Sequence, residues 1–90
     1  MKRFFVQFSG IVQGVFFRRN TKEIADKLDL KGWVKNLEDG SVAAVFEGEE
    51  AKINQAIEIC TNFSLPIKVQ EVQKKELKYT GEFINFNIIY

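Results

Sequence analysis

Alternation opens the chain: Phe4, Val6 and Phe8 fall on one side of an extended segment, with Arg3, Phe5, Gln7 and Ser9 on the other. A period of two is that of a strand covered on one face. From Phe17 the period lengthens. Phe17, Thr21, Ile24, Ala25 and Leu28 share one helical stripe, and Gly32 reads as its stop. Asn20 with Glu23 three residues on reads as a capping box, which would start this helix just after Arg18. Two strands follow, Gly32 to Leu37 and Ser41 to Glu47, joined at Asp39-Gly40, a dipeptide suited to the positive φ angles of a hairpin turn. Val42, Ala44 and Phe46 alternate towards the core. A second helical stripe runs through Ile53, Ala56, Ile57, Cys60 and Phe63 and ends before Leu65-Pro66. Ile67, Val69 and then Val72 change phase, as at a bulge. After a turn at Thr80-Gly81, Ile84, Phe86, Ile88 and Tyr90 alternate as a last strand.

The element order is βαββαβ with an additional C-terminal strand. It predicts an α+β, ferredoxin-like split βαβ sandwich, two helices on one face of an antiparallel-type sheet. Residues 1–90 make one domain, because a chain of 90 residues has room for a single core. That fold serves RNA-binding domains, metabolite sensors and small hydrolases alike, so it does not choose a function.

Composition narrows the choice. Thirteen basic and twelve acidic side chains leave a net charge of +1, which gives no general attraction to nucleic acid or an acidic membrane, so any anion must be caught locally. The apolar runs are short, and nothing resembles a leader or a membrane span; the expectation is a soluble, cytoplasmic monomer. Cys60, the one cysteine, has no partner for an internal disulfide, in keeping with a reducing compartment. There is no histidine, and Cys60 lies on the inner stripe of its helix, so histidine and thiolate mechanisms have no residues to use. The carboxylates are scattered without ligand spacing, and neither a metal nor another cofactor is expected.

The chemistry concentrates in Gly10-Ile11-Val12-Gln13-Gly14-Val15-Phe16-Phe17-Arg18, between the first strand and the first helix. Backbone N–H groups in a glycine-permitted turn converge on an anion, the following helix adds the positive end of its dipole, and the Arg18 guanidinium matches two phosphate oxygens. Each part also has a plainer reading: the glycine pair as a turn, Arg18 as a solvated charge, and Asn36 before Asp39-Gly40 as an Asx-type turn residue.

The spacing decides between them. Gly10 to Arg18 meets G-x-V-Q-G-V-x-F-R at every fixed position, and Gly32, Trp33, Asn36, Gly40, Val42 and Gly48 meet a second fixed pattern. Together these segments resemble the acylphosphatase family, over essentially the whole chain. Phe8, where the family usually has an aliphatic, is the one departure noted, and it is a core-type exchange. The resemblance implies hydrolysis of small acyl phosphates to a carboxylate and inorganic phosphate without a metal. It further implies that the loop from Gly10 to Phe17 binds the phosphoryl group through its backbone, that Arg18 clamps it, and that Asn36 positions the attacking water. An acyl phosphate suits such a site, since its leaving carboxylate needs no proton and phosphoryl transfer rests on positioning and electrostatics. The competing reading is a non-catalytic phosphate-binding module of the same fold. A single-stranded RNA binder fits poorly, because Ser41-Val42-Ala43-Ala44-Val45-Phe46-Glu47 lacks the basic, aromatic-rich motif expected on the third strand.

Overall fold

The computed structural model describes residues 1–90. Its elements are β1 (Lys2–Ile11), α1 (Phe17–Lys27), β2 (Lys31–Asn36), β3 (Val42–Gly48), α2 (Glu50–Thr61), β4 (Lys68–Leu77) and β5 (Phe86–Ile89). The strands form one sheet in the order β4-β1-β3-β2-β5. The β4–β1, β1–β3 and β3–β2 pairs are antiparallel, whereas β5 lies parallel to β2. The sheet is therefore mixed, and the antiparallel-type expectation holds for its first four strands only. To reach β2 from β4, at the opposite edge, the chain crosses over, and it arrives running in the same direction as its neighbour.

Alternation in β1 sends Phe4, Val6 and Phe8 inward, where all three are buried, and both helices pack on that face. Ile53, Ala56 and Cys60 of α2 join Phe17 and Ala25 of α1 in the same core. Phe17 is central to it, its ring centroid 5.0 Å from that of Phe8 and 5.5 Å from that of Phe63. On the opposite face, Ala43, Val45 and Glu47 of β3 are also buried. Larger side chains flank them: Phe5 and Trp33 stand beside Val45, and Gln7 and Lys35 beside Ala43.

Both ends of α1 correct the pattern-based expectation. Asn20 does not cap the helix but lies inside it, its N–H donating to the Phe16 carbonyl at 3.0 Å. The cap is Phe16, in the left-handed region at φ 65°, with no side-chain capping bond. At the other end Asp29, at φ 56°, stops the helix three residues before Gly32. Its N–H donates to Asp26 and that of Leu30 to Ala25, a Schellman closure. Gly32 instead belongs to β2, between Phe46 of β3 and Phe86 of β5. Those two rings stack with centroids 5.4 Å apart, and a Cβ at Gly32 would lie 1.8 Å from the Val45 carbonyl oxygen. The absence of a side chain is what lets the rings meet there.

The expected bulge is present. Ser9 pairs with Glu71 and Gly10 with Val69, leaving Gln70 as the extra residue. Between β4 and β5 the chain passes the end of the sheet remote from the β1–α1 loop. There the buried Glu47 carboxylate accepts from the Thr80 N–H at 3.1 Å and lies 3.7 Å from the Arg3 guanidinium. Arg3 in turn donates to Glu82 at 3.0 Å, so the buried charge is paired as burial demands. Of the last alternating residues, Phe86 is buried and Ile88 partly so, while Ile84 and Tyr90 are exposed.

Candidate active site

Three segments meet at the opposite end of the sheet: the loop leaving β1, the end of β2 and the end of β5. Between them lies a pocket of about 310 Å³. The loop contributes Val12, Gly14 and Phe16, α1 contributes Phe17, Arg18 and Arg19, β2 gives Asn36, and the C-terminal segment gives Ile88 and Tyr90.

The loop turns by means of two left-handed residues. Gly14 has φ 73°, and a Cβ there would meet nothing, so glycine is needed for backbone conformation and not for close approach. Phe16 adopts φ 65° although it is an aromatic residue, a conformation that stores strain at the entry to α1. The N–H groups of residues 12 to 19 donate to no carbonyl and no side chain of the protein. The first turn of α1 holds no acidic residue. Residues with unpaired N–H groups and the uncompensated N-terminus of α1 therefore line the same pocket.

Arg18 sits in that first turn and has no carboxylate partner among the ion pairs. Its Cζ lies 4.9 Å from the centroid of the Tyr90 ring, which supports the guanidinium face and leaves its N–H edge free. Arg19, which also lines the pocket, is paired with Glu23 at 3.7 Å. Asn36 ends β2 on the face that carries α1, because it stands opposite Val42, an inward residue. Its Oδ1 is buried and accepts no hydrogen bond from the chain. One planar cation free of a carboxylate partner, residues with unpaired N–H groups and one amide thus line one pocket. No histidine, cysteine or acidic side chain lines the pocket, so the arrangement has the chemistry to bind and orient an anion and offers no side-chain carboxylate, imidazole or thiol as base or nucleophile.

Of the residues expected from sequence, the pocket unites Val12, Gly14, Phe16, Phe17, Arg18 and Asn36. Gly10 and Ile11 lie within β1, paired with Val69 and Lys68. A Cβ at Gly10 would sit 2.3 Å from the Lys68 carbonyl oxygen, so that glycine serves the bulge. Val15 packs against the core. The Gln13 side chain is hydrogen-bonded to the β2–β3 hairpin. Arg19, Ile88 and Tyr90 were not expected. Tyr90 shares its alternation with Phe86 and Ile88, but only the parallel placement of β5 beside β2 brings it to Arg18.

Cys60 is remote from this pocket, buried in α2 with its Sγ 3.7 Å from the Thr21 hydroxyl. Burial pushes its thiol up to about 12, and the Thr21 hydrogen bond offsets this only in part.

The chain is similar to known proteins in sequence and in fold. The acylphosphatase family model matches residues 4–88. The chain is similar to the acylphosphatase of Syntrophus aciditrophicus (strain SB), 43% identical over 90 residues, which covers 100% of this chain and 94% of that protein. It is 44% identical over 89 residues to the acylphosphatase of Syntrophobacter fumaroxidans (strain DSM 10017 / MPOB), covering 99% of this chain and 92% of that one. The crystal structure of acylphosphatase from Bacillus subtilis superposes with a TM-score of 0.95 at 36% identity, over 100% of both chains. With the family's model, sequences and fold all matched along its length, the chain belongs to the acylphosphatase family and its activity is that of an acylphosphatase.

Proposed function

We propose that the pocket divides the hydrolysis of a small acyl phosphate between two sets of groups. The N–H donors of the loop and of the first turn of α1 hold the phosphoryl oxygens, and Arg18 clamps two of them through its fork. Asn36 holds the attacking water, since an amide presents both a donor and an acceptor without needing to ionise. The water oxygen bonds to phosphorus as the bond from phosphorus to the acyl oxygen breaks. The carboxylate departs unprotonated, and the proton of the water passes to a phosphoryl oxygen of the substrate. Inorganic phosphate, the product, occupies the same donors and competes with the substrate.

The observation that carries this reading is the convergence of unpaired N–H donors, the unpaired Arg18 fork and the buried Asn36 Oδ1 on one pocket. Benzoyl phosphate turnover by the wild type and by Arg18→Lys tests it. The ammonium keeps the charge and loses the fork, so kcat is expected to fall by on the order of 10³-fold in a protein that stays folded. Near-normal turnover by Arg18→Lys would remove the bidentate clamp. We read the chain further as a cytoplasmic monomer that takes no nucleic acid, membrane or cofactor partner, supported by its balanced charge and its buried, unpaired cysteine. Light scattering of the purified protein tests the monomer.

A further inference from the structure

The Gln13 side chain leaves the anion-binding loop and crosses to the β2–β3 hairpin. Its Nε2 donates to the Leu37 carbonyl at 2.8 Å and to the Ser41 carbonyl at 2.9 Å. Leu37 and Ser41 close that hairpin through the Leu37 N–H, which donates to the Ser41 carbonyl at 2.9 Å, and Leu37 directly follows Asn36. Gln13 itself directly precedes Gly14, one of the two left-handed residues that shape the loop. One amide nitrogen therefore ties the segment that carries the phosphate donors to the segment that carries the water-holding side chain. No other side-chain hydrogen bond joins them.

We propose that Gln13 is a positioning residue for the hydrolysis, holding Asn36 in register with the phosphate loop. The inference rests on the assignment of Asn36 to the attacking water. In-line attack requires a fixed separation between the water and phosphorus, and a displacement of about 1 Å costs up to roughly 100-fold in rate. The loop leaves β1 and Asn36 ends β2, two strands separated in the sheet by β3; the pairing of β1 with β3 stops at Phe8 and that of β2 with β3 at Asn36, so no ladder bond holds the loop to the hairpin tip. Both protons of the Gln13 amide are committed to this tie. It also explains why a glutamine is used where the loop's phosphate contacts need only backbone.

The prediction is a division between kcat and anion affinity. Gln13→Met keeps the length and apolar stem of the side chain and removes both donors. It should lower kcat by roughly 10- to 100-fold while the inhibition constant of inorganic phosphate changes by less than about twofold, because the loop retains its own N–H groups. The decisive measurement is a double-mutant cycle with Asn36→Ala. If Gln13 acts through Asn36, adding Gln13→Met to Asn36→Ala should cost almost nothing further in kcat. Fully additive losses would overturn the proposal while leaving the role of Asn36 intact, whereas full activity in Asn36→Ala alone would overturn the reading beneath it. If Gln13→Met does not fold, Gln13→Glu replaces it. An ionised glutamate facing two carbonyls has no proton to donate, and its protonated form has one, so kcat relative to the wild type should rise as pH falls through the carboxyl range. A ratio independent of pH would count against the tie.

Discussion

At Arg18 a charge stands where a helix would ordinarily reject it. A cation at a helix N-terminus opposes the dipole, and here no neighbouring carboxylate relieves it. A dianionic phosphoryl group bound as proposed would neutralise both the guanidinium and the dipole, turning an arrangement that is unfavourable when free into a favourable one. Asn36 is complementary, a neutral group with a buried acceptor. Replacing Asn36 by alanine should lower kcat by about 10²- to 10³-fold, the usual range for a preorganised polar group in a water-excluding site. The affinity for inorganic phosphate, measured by titration, should change little, since the proposal gives the anion to other groups. A large loss of phosphate affinity would place Asn36 among the anion ligands.

Among the elements, β2 shows best how a side chain's absence is used. Gly32→Ala would set a methyl group against the Val45 carbonyl and force φ 135° on a residue with a Cβ. Strain and overpacking together should cost roughly 2 to 5 kcal/mol, read as a lower midpoint in urea. The same residue shows what pattern reading misses. A glycine after an amphipathic stripe signals a helix end, yet Asp29 performs that task by accepting the left-handed conformation itself, which local sequence does not reveal. Periodicities set by burial were legible: Phe4, Val6 and Phe8 inward, the stripe through Ile53 and Cys60, and the phase change before Val72. In the site, Arg18 and Asn36 were legible because motif spacing marks them. The tie from Gln13 to two backbone carbonyls was not, since any residue carries a carbonyl and only the fold decides which one is near. Nor was the contact of Tyr90 with Arg18, which depends on a strand arriving from the far edge of the sheet.

Taken whole, the molecule separates its titrations from its chemistry. No histidine is present and no acidic side chain or thiol lines the pocket, so the rate should be nearly flat between about pH 5 and 8, apart from protonation of the substrate. A bell-shaped profile that stays in place when the substrate is changed would reveal an enzymic acid and base. Stability should behave differently at high pH. Cys60 ionises near 9.0 in the unfolded chain and near 12 in the folded one, so the unfolded state loses its proton first. Its contribution is intact below pH 9 and declines between pH 9 and 12, with a slope of up to about 1.4 kcal/mol per pH unit. Cys60→Ala should flatten that decline in urea titrations run across the range.

The parallel seam between β2 and β5 also gives the protein an optical reporter. Trp33, the single tryptophan, stands half-buried on that seam beside Asn87, three residues before Asn36. Its emission therefore reads whether the last strand is docked. The same docking delivers Ile88 and Tyr90 to the pocket. In a urea series the loss of Trp33 fluorescence and the loss of turnover should coincide if the seam opens only with global unfolding. Should both precede the loss of helical circular dichroism, β5 peels away first, and catalysis in this fold is switched off by the fraying of four edge residues while the rest of the sheet stands.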